Sequence, residues 1–267
     1  MGFYSPATLI KDGKRRGVKF LAVCAVRSGE LCTIEPNGDV RLGLNYVRGL
    51  HRDKAAWLVT ERNRRPFSSM EDLLLRVPLN KGERRVLAKI GALNLLSEHR
   101  RTALWDIESI FDGDDLFSGQ SLEGEKPLEP MNGVERLQAD FDGTRVTTGP
   151  HMMTFMRPQL PHVTRAADLV KGRHGDKITI AGVVICRQRP GTAKGHVFVS
   201  LEDETGISNA IVRSELFEKL RLTITHEPFL EIEGQLQHLE GVISVLARDV
   251  RGLDAPALIE SQSYDFH

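Results

Sequence analysis

An α+β chain of more than one domain, a helical region followed by a five-stranded β-barrel, is predicted by three features of this 267-residue sequence. Apolar residues recur at helical spacing between residues 45 and 110. From residue 177 onward they alternate at strand spacing. Between the two, Phe111 to Asp142 is acidic, rich in Gly and Pro, and nearly without periodicity, as a linker or long loop would be.

The elements follow in order. Pro6 to Arg16 reads as a short helix with Ser5 as N-cap and Pro6 in its first position. Val18 to Val26 is apolar and partly β-branched, which suits a strand. Asn37-Gly38 lies between LCTIE and DVRLGL and signals a hairpin of two short strands. HRDKAAWLVTERNRR places Ala55, Leu58, Val59 and Arg62 at helical spacing. PFSSMEDLLLRV offers Ser68 or Ser69 as cap before Glu71, Leu74 and Leu75. NKGERRVLAKIGALNLL sets Val86, Leu87, Ile90 and Leu93 on one face, and HRRTALWDIESI does the same for Leu104, Ile107 and Ile110. GVERLQADF reads as one further helix inside the acidic segment, and TTGPHMMTFMRPQL as a short helix ending near Pro158.

The β region opens with KITIAGVVICRQR, whose alternation shifts phase near Gly182, a sign of a bulge or sharp bend. HVFVSLED alternates cleanly, with Val197, Val199 and Leu201 opposite His196, Phe198 and Ser200. ISNAIVRS, a short amphipathic helix SELFEKLR, then FLEIEGQLQHL and GVISVLARDV, joined at Glu240-Gly241, complete the order. Three strands, a helix and two strands is the order of an OB-fold. The expected organisation is an N-terminal piece at 1–40, a helical region at 41–110, linker and short helices at 111–170, the barrel at 171–253 and a tail at 254–267.

Net charge is zero, with 36 Lys+Arg against 36 Asp+Glu, but the charges are unevenly placed. Residues 1–110 carry 20 basic against 12 acidic side chains, residues 111–144 carry 2 against 9, and the remainder 14 against 15. A basic first half hints at an anionic partner, although patch charge alone also fits chance surface variation. The three cysteines, Cys24, Cys32 and Cys186, form no CxxC pair, so neither a disulfide framework nor a finger-type metal site is expected. Reduced thiols suit a cytoplasmic protein. No apolar run is long enough to span a membrane, and the first residues lack the form of a secretory signal.

Two constellations point to nucleic acid. In the barrel, Arg187, Arg189 and Lys194 flank the first hairpin, whose Gly191 and Gly195 permit close backbone approach. His196 and Phe198 on the second strand, with Asn209 and Arg213 on the third, would supply stacking and polar contacts to a single strand. A solvated hairpin tip is the plainer account of the same loop. In the helical half, VRGLHRDKAA and KIGALNLLSEHRRTAL each set a glycine between apolar residues ahead of a basic helix. Such a joint exposes backbone N–H groups at a helix start, which with the helix dipole suit a phosphate. This is helix-hairpin-helix logic. The candidate contacts are Arg48, Gly49, His51, Arg52 and Lys54 in the first, and Gly91, Arg100 and Arg101 in the second. Ordinary helix packing with solvated arginines is the competing account.

No self-sufficient active site is evident. Asp112, Asp114 and Asp115 are the densest carboxylate cluster and lie in the Gly-rich segment, a poor scaffold for a metal site. Glu202, Asp203 and Glu204 read as a solvated turn, the histidines are scattered, and no GxxxxGK[ST], GxSxG or HExxH is present.

Taken together, RLGLNYVRGL, RPFSSMEDLLLRVPLNKGERRVLAKIGALNLL and HRRTALW resemble the tandem helix-hairpin-helix region of bacterial family C DNA polymerases. TTGPHMMTFMRPQL and RPGTAKGHVFVSLEDETGISNAIV resemble the segment leading into that family's OB domain, and GFYSPATLIKDGKRRGVKF resembles the end of its fingers. The details are most similar to the error-prone, damage-tolerant branch. The resemblance implies the C-terminal, DNA-binding portion of a translesion polymerase acting in replication and repair. The catalytic palm would lie outside this chain, whether the chain is a fragment, a split gene or a nonfunctional truncation. It implies duplex and single-stranded DNA as partners, an upstream polymerase chain, and the sliding clamp or mutasome proteins. It implies no cofactor in this chain, with Mg²⁺ expected only alongside the palm. The family's clamp-binding peptide has its equivalent place at GDDLF, with Leu116 and Phe117 as contacts, though the expected glutamine is missing. The first hairpin also departs from the pattern: His51 stands where a second glycine is usual, putting a side chain near the phosphate. A free-standing OB adaptor for single strands or a partner protein is the alternative reading.

Overall fold

The computed structural model describes residues 5–111, 128–239, 241–254 and 264–266. The chain divides into two compact units, Met1–Gly149 and Pro150–His267.

In the first unit, helix α1 (Pro6–Arg15) starts as the sequence indicates, with the Ser5 hydroxyl accepting the Thr8 N–H at 3.2 Å. Only Phe20–Leu21 (β1) of the apolar run Val18–Val26 joins a ladder, pairing parallel to β3 (Val40–Arg41). The chain then turns inward, and the Ser28 hydroxyl ties the turn by accepting from Cys24 N–H and donating to the Leu42 carbonyl. Strand β2 (Thr33–Ile34) pairs antiparallel with β3 around Gly38, whose φ of +87° gives the turn its left-handed residue. Helices α2 (Arg52–Arg64), α3 (Met70–Arg76), α4 (Lys81–Lys89), α5 (Arg100–Phe111) and α6 (Gly133–Thr144) follow. Ser69 caps α3. Capping boxes start α4, from Asn80 and Glu83, and α6, from Asn132 and Glu135. Leu58, Leu73, Val77, Leu87, Ala88, Leu93 and Ala103 form the buried centre of this unit. Each large aliphatic among them contributes about 1.5–3 kcal/mol by leaving water.

The second unit holds a short helix, α7 (Met152–Met156), and strands β4 (Lys177–Gln188), β5 (Val197–Glu202) and β6 (Ile207–Val212). Helices α8 (Ser214–Lys219) and α9 (Arg221–His226) stand where one helix was expected. Strands β7 (Phe229–Leu239), β8 (Val242–Gly252) and β9 (Tyr264–Phe266) complete it. The strand order β5-β6-β8-β7-β4 closes through a β4–β5 pairing, giving the five-stranded OB-like barrel, and β9 adds to β4 in parallel. β4 serves both halves of the barrel. Residues 177–183 pair with β7 and residues 183–188 with β5. Gly182 sits at the change of partner, where a Cβ would stand 2.6 Å from the Glu202 carbonyl oxygen. The register shift itself falls between Val184 and Cys186, two residues beyond the glycine. Val184, Val199, Leu201, Val212, Leu230, Ile232 and Val245 fill the barrel.

Candidate nucleic-acid interface

In the first unit, a turn of 3₁₀ helix at Leu44–Tyr46 leads through Gly49 directly into α2. Gly49 has φ +78° and open space where a Cβ would be, so glycine meets a backbone requirement and leaves the approach clear. Arg48, Gly49, His51 and Arg52 are all exposed. The Arg48 backbone N–H donates to the Gly143 carbonyl at 2.8 Å and its guanidinium to the Asp142 carbonyl at 3.0 Å, which hold the turn in place. His51 occupies the N-cap position of α2 but its side chain makes no capping bond. Lys54 is half-buried, with Asp53 at 4.0 Å.

The His51 ring turns one nitrogen onto Glu83. Its Nδ1 lies 2.7 Å from Glu83 Oε1, and its backbone N–H donates to the same oxygen at 3.1 Å. The other Glu83 oxygen accepts the Asn80 N–H at 2.8 Å. One carboxylate, 1% exposed, therefore ties the start of α2 to the start of α4. Burial pushes the Glu83 carboxyl up, but the hydrogen bonds from Asn80 and His51 outweigh it and hold the group below the usual carboxylate range. Sequence reading passed over Glu83, although Asn80-x-x-Glu83 carried the capping-box signal.

The second turn is built differently. Gly91, with φ +76°, follows α4, but α5 begins only at Arg100. Arg100 lies across the glycine, its Nε 2.8 Å from where a Cβ would sit. Its guanidinium pairs with Asp140 at 2.8 Å and donates to the Arg136 carbonyl at 3.1 Å, and both paired side chains are almost buried, at 11% and 13% exposure. Arg101 pairs with Glu135 at 2.7 Å and donates to the Glu129 carbonyl. Both arginines are engaged with α6 and the residues before it. Burial pushes Asp140 above the ordinary carboxylate range, and Arg100 opposes that shift.

In the second unit, the outer face of β5 and β6 carries Phe198 beside Ile211, and Ser200 beside Asn209, with the Ser200 hydroxyl donating to Asn209 Oδ1 at 2.8 Å. Phe198 is 37% exposed. Lys194 is exposed in a left-handed conformation at the β4–β5 turn, and Arg213 is exposed one residue past β6, as N-cap of α8. His196, half-buried, stands just before β5. Two expected contacts have partners within this unit. Arg187 donates to the Ile224 and Glu227 carbonyls, both at 2.6 Å, closing the end of α9. Arg189 pairs with Glu218 at 3.0 Å and stacks over the Phe217 ring at 4.7 Å.

The acidic turn is not solvated. Asp203 is buried and accepts from Thr205, Gly206, Ala166 and Arg157, and Glu204 pairs with Arg157, so this cluster is a structural knot. Leu116 and Phe117, like Asp112, Asp114 and Asp115, lie outside the described residues. Among the described residues, no helix is long and apolar enough to cross a membrane.

Residues 17–103 match the family model for a helix-hairpin-helix motif, and residues 178–253 match that for an OB-fold nucleic acid binding domain. Curated relatives align with the chain from end to end. An error-prone DNA polymerase of Aromatoleum aromaticum is 36% identical over 280 residues, covering 100% of this chain and 26% of its own length. The whole chain is homologous to part of the error-prone DNA polymerases. Those of Alkalilimnicola ehrlichii and Dechloromonas aromatica are each 37% identical, over 276 and 272 residues, and also cover all of it. The chain spans about a quarter of the length of these error-prone polymerases, 26–27%. The helix-hairpin-helix match encloses the Gly49 and Gly91 turns, and the OB match encloses the β5–β6 face.

Proposed function

We propose that this chain is the DNA-holding portion of an error-prone polymerase. It grips duplex backbone at the Gly49 turn and single-stranded template on the β5–β6 face. The observation that carries the reading is the Gly49 turn: a left-handed glycine with open space above it, at the start of a helix without a side-chain cap, flanked by exposed Arg48, His51 and Arg52. The contacts are to phosphate, so they hold a duplex without reading its sequence. On the barrel, Lys194 and Arg213 supply two cations at one end of the β5–β6 face, which carries Phe198 and Asn209. Phe198 would stack a base for about 1–3 kcal/mol. Nucleotide addition, clamp contact and work in repair replication are proposed for the longer polymerase, not for this chain alone.

Fluorescence anisotropy with labelled duplex and labelled single strand tests the assignment. Arg48→Ala/Arg52→Ala should weaken duplex binding and spare the single strand. Lys194→Ala/Phe198→Ala should do the reverse. Equal loss of both ligands in both variants would overturn it.

A further inference from the structure

His51 and Glu83 form a pair with a property that neither a glycine at position 51 nor an arginine would give. Glu83 is buried, and as an ionised carboxylate it only accepts hydrogen bonds. The 2.7 Å contact to His51 Nδ1 therefore requires the proton on Nδ1. In the neutral ring Nε2 is then a bare acceptor, which a phosphate oxygen repels. In the charged ring Nε2 carries a proton and donates to phosphate. The side chain is 68% exposed, so Nε2 is open to solvent beside the start of α2. Glu83 of α4 is the charged group in contact with the ring; Arg84 follows it on α4, and Arg48, Arg52, Asp53 and Lys54 are the charged residues next to His51 in the chain.

We propose that His51 takes up one proton on Nε2 when this turn closes on a DNA phosphate, with Glu83 holding Nδ1–H and so aiming Nε2 outward. This rests on the Gly49 turn being a phosphate grip. One proton moves from the buffer acid to Nε2 on binding, forming the Nε2–H bond, and returns on release; no bond between heavy atoms changes. Glu83 is a positioning residue: it fixes the ring and stays ionised, while His51 makes the contact. His51 thus replaces the usual second glycine with a contact that depends on pH.

The experiment is anisotropy of the full chain with a fluorescein-labelled duplex from pH 6 to 8.5 at constant ionic strength. For wild type, log Kd should rise with pH, its slope approaching the value of about one per unit expected of a single proton. His51→Gln, which keeps a neutral donor and an exposed side chain, should lose that component of the slope and bind about tenfold more weakly at pH 6.5. Arg48→Ala should weaken binding while keeping the slope. Calorimetry in two buffers of different ionisation enthalpy should show proton uptake in wild type and less in His51→Gln. Equal slopes in wild type and His51→Gln, with duplex binding intact and sensitive to Arg48→Ala, overturn the proton uptake and leave the grip standing. Absence of duplex binding at low salt across the whole pH range overturns the grip and this inference together.

Discussion

Replacing Arg100 with alanine should unfold the first unit more easily rather than loosen its hold on DNA. The guanidinium lies 2.8 Å from Asp140 and donates to the Arg136 carbonyl, with both ionic side chains nearly buried. Removing one partner of a buried pair leaves the other charge without compensation, at a cost of about 3–5 kcal/mol. Asp140 relieves part of this by taking a proton, because burial already holds its carboxyl high. About 3 kcal/mol is therefore expected near neutral pH. With a urea slope of about 2 kcal/mol/M, the unfolding midpoint falls by roughly 1.5 M. The pH dependence carries a sign. An acid whose folded pKa is raised destabilises the fold as pH climbs through that pKa, and losing Arg100 raises it further. The defect should therefore shrink on acidification and grow as the pH is raised. Urea unfolding followed by circular dichroism at several pH values measures this, and Arg100→Ala/Asp140→Asn should recover part of the loss. An unchanged midpoint combined with weakened duplex binding would refute the reasoning and make Arg100 a phosphate contact.

Three further outcomes are expected. Arg187→Ala should cost the barrel about 2 kcal/mol, since two charge-assisted hydrogen bonds to the end of α9 are lost. Thermal melting reads this, and single-strand affinity at a temperature well below the transition should hold. Gly182→Ala should cost about 2–3 kcal/mol, because the new methyl meets the Glu202 backbone where β4 changes partner; denaturant melts report it. Glu83→Gln should lose the acid-dependent part of stability. A carboxylate whose folded pKa is depressed stabilises above its unfolded pKa, and that contribution fades as pH falls through the folded one. Wild type should thus lose stability below the ordinary carboxylate range in an acid titration more steeply than the variant does.

Much of the fold could be read from local chemistry. The Ser5 cap, the Asn37-Gly38 turn, the Ser69 cap and the alternation of Val197, Val199 and Leu201 each depend on residues a few positions apart. The OB order followed from the succession of strands and helix. What sequence did not show was who pairs with whom at long range. Arg100, Arg101, Arg187 and Arg189 read as free cations, yet their partners stand tens of residues away on α6, α8 and α9. Asp203 looked like a turn residue, but its partners Ala166 and Arg157 precede the barrel strands. The apolar run after Val18 looked like a long strand, and only Phe20 and Leu21 find a ladder before the chain turns inward. The Gly49 turn is the opposite case, because a left-handed glycine next to a basic helix start is local in both sequence and space.

The most direct measurement of the central claim is the salt dependence of duplex binding by wild type and Arg48→Ala/Arg52→Ala. Each lost phosphate contact lowers the slope of log K against log salt by about 0.9. The Gly49 grip predicts weaker binding in the variant and a slope smaller by about 1.8. Identical affinity and slope in the two proteins would contradict it.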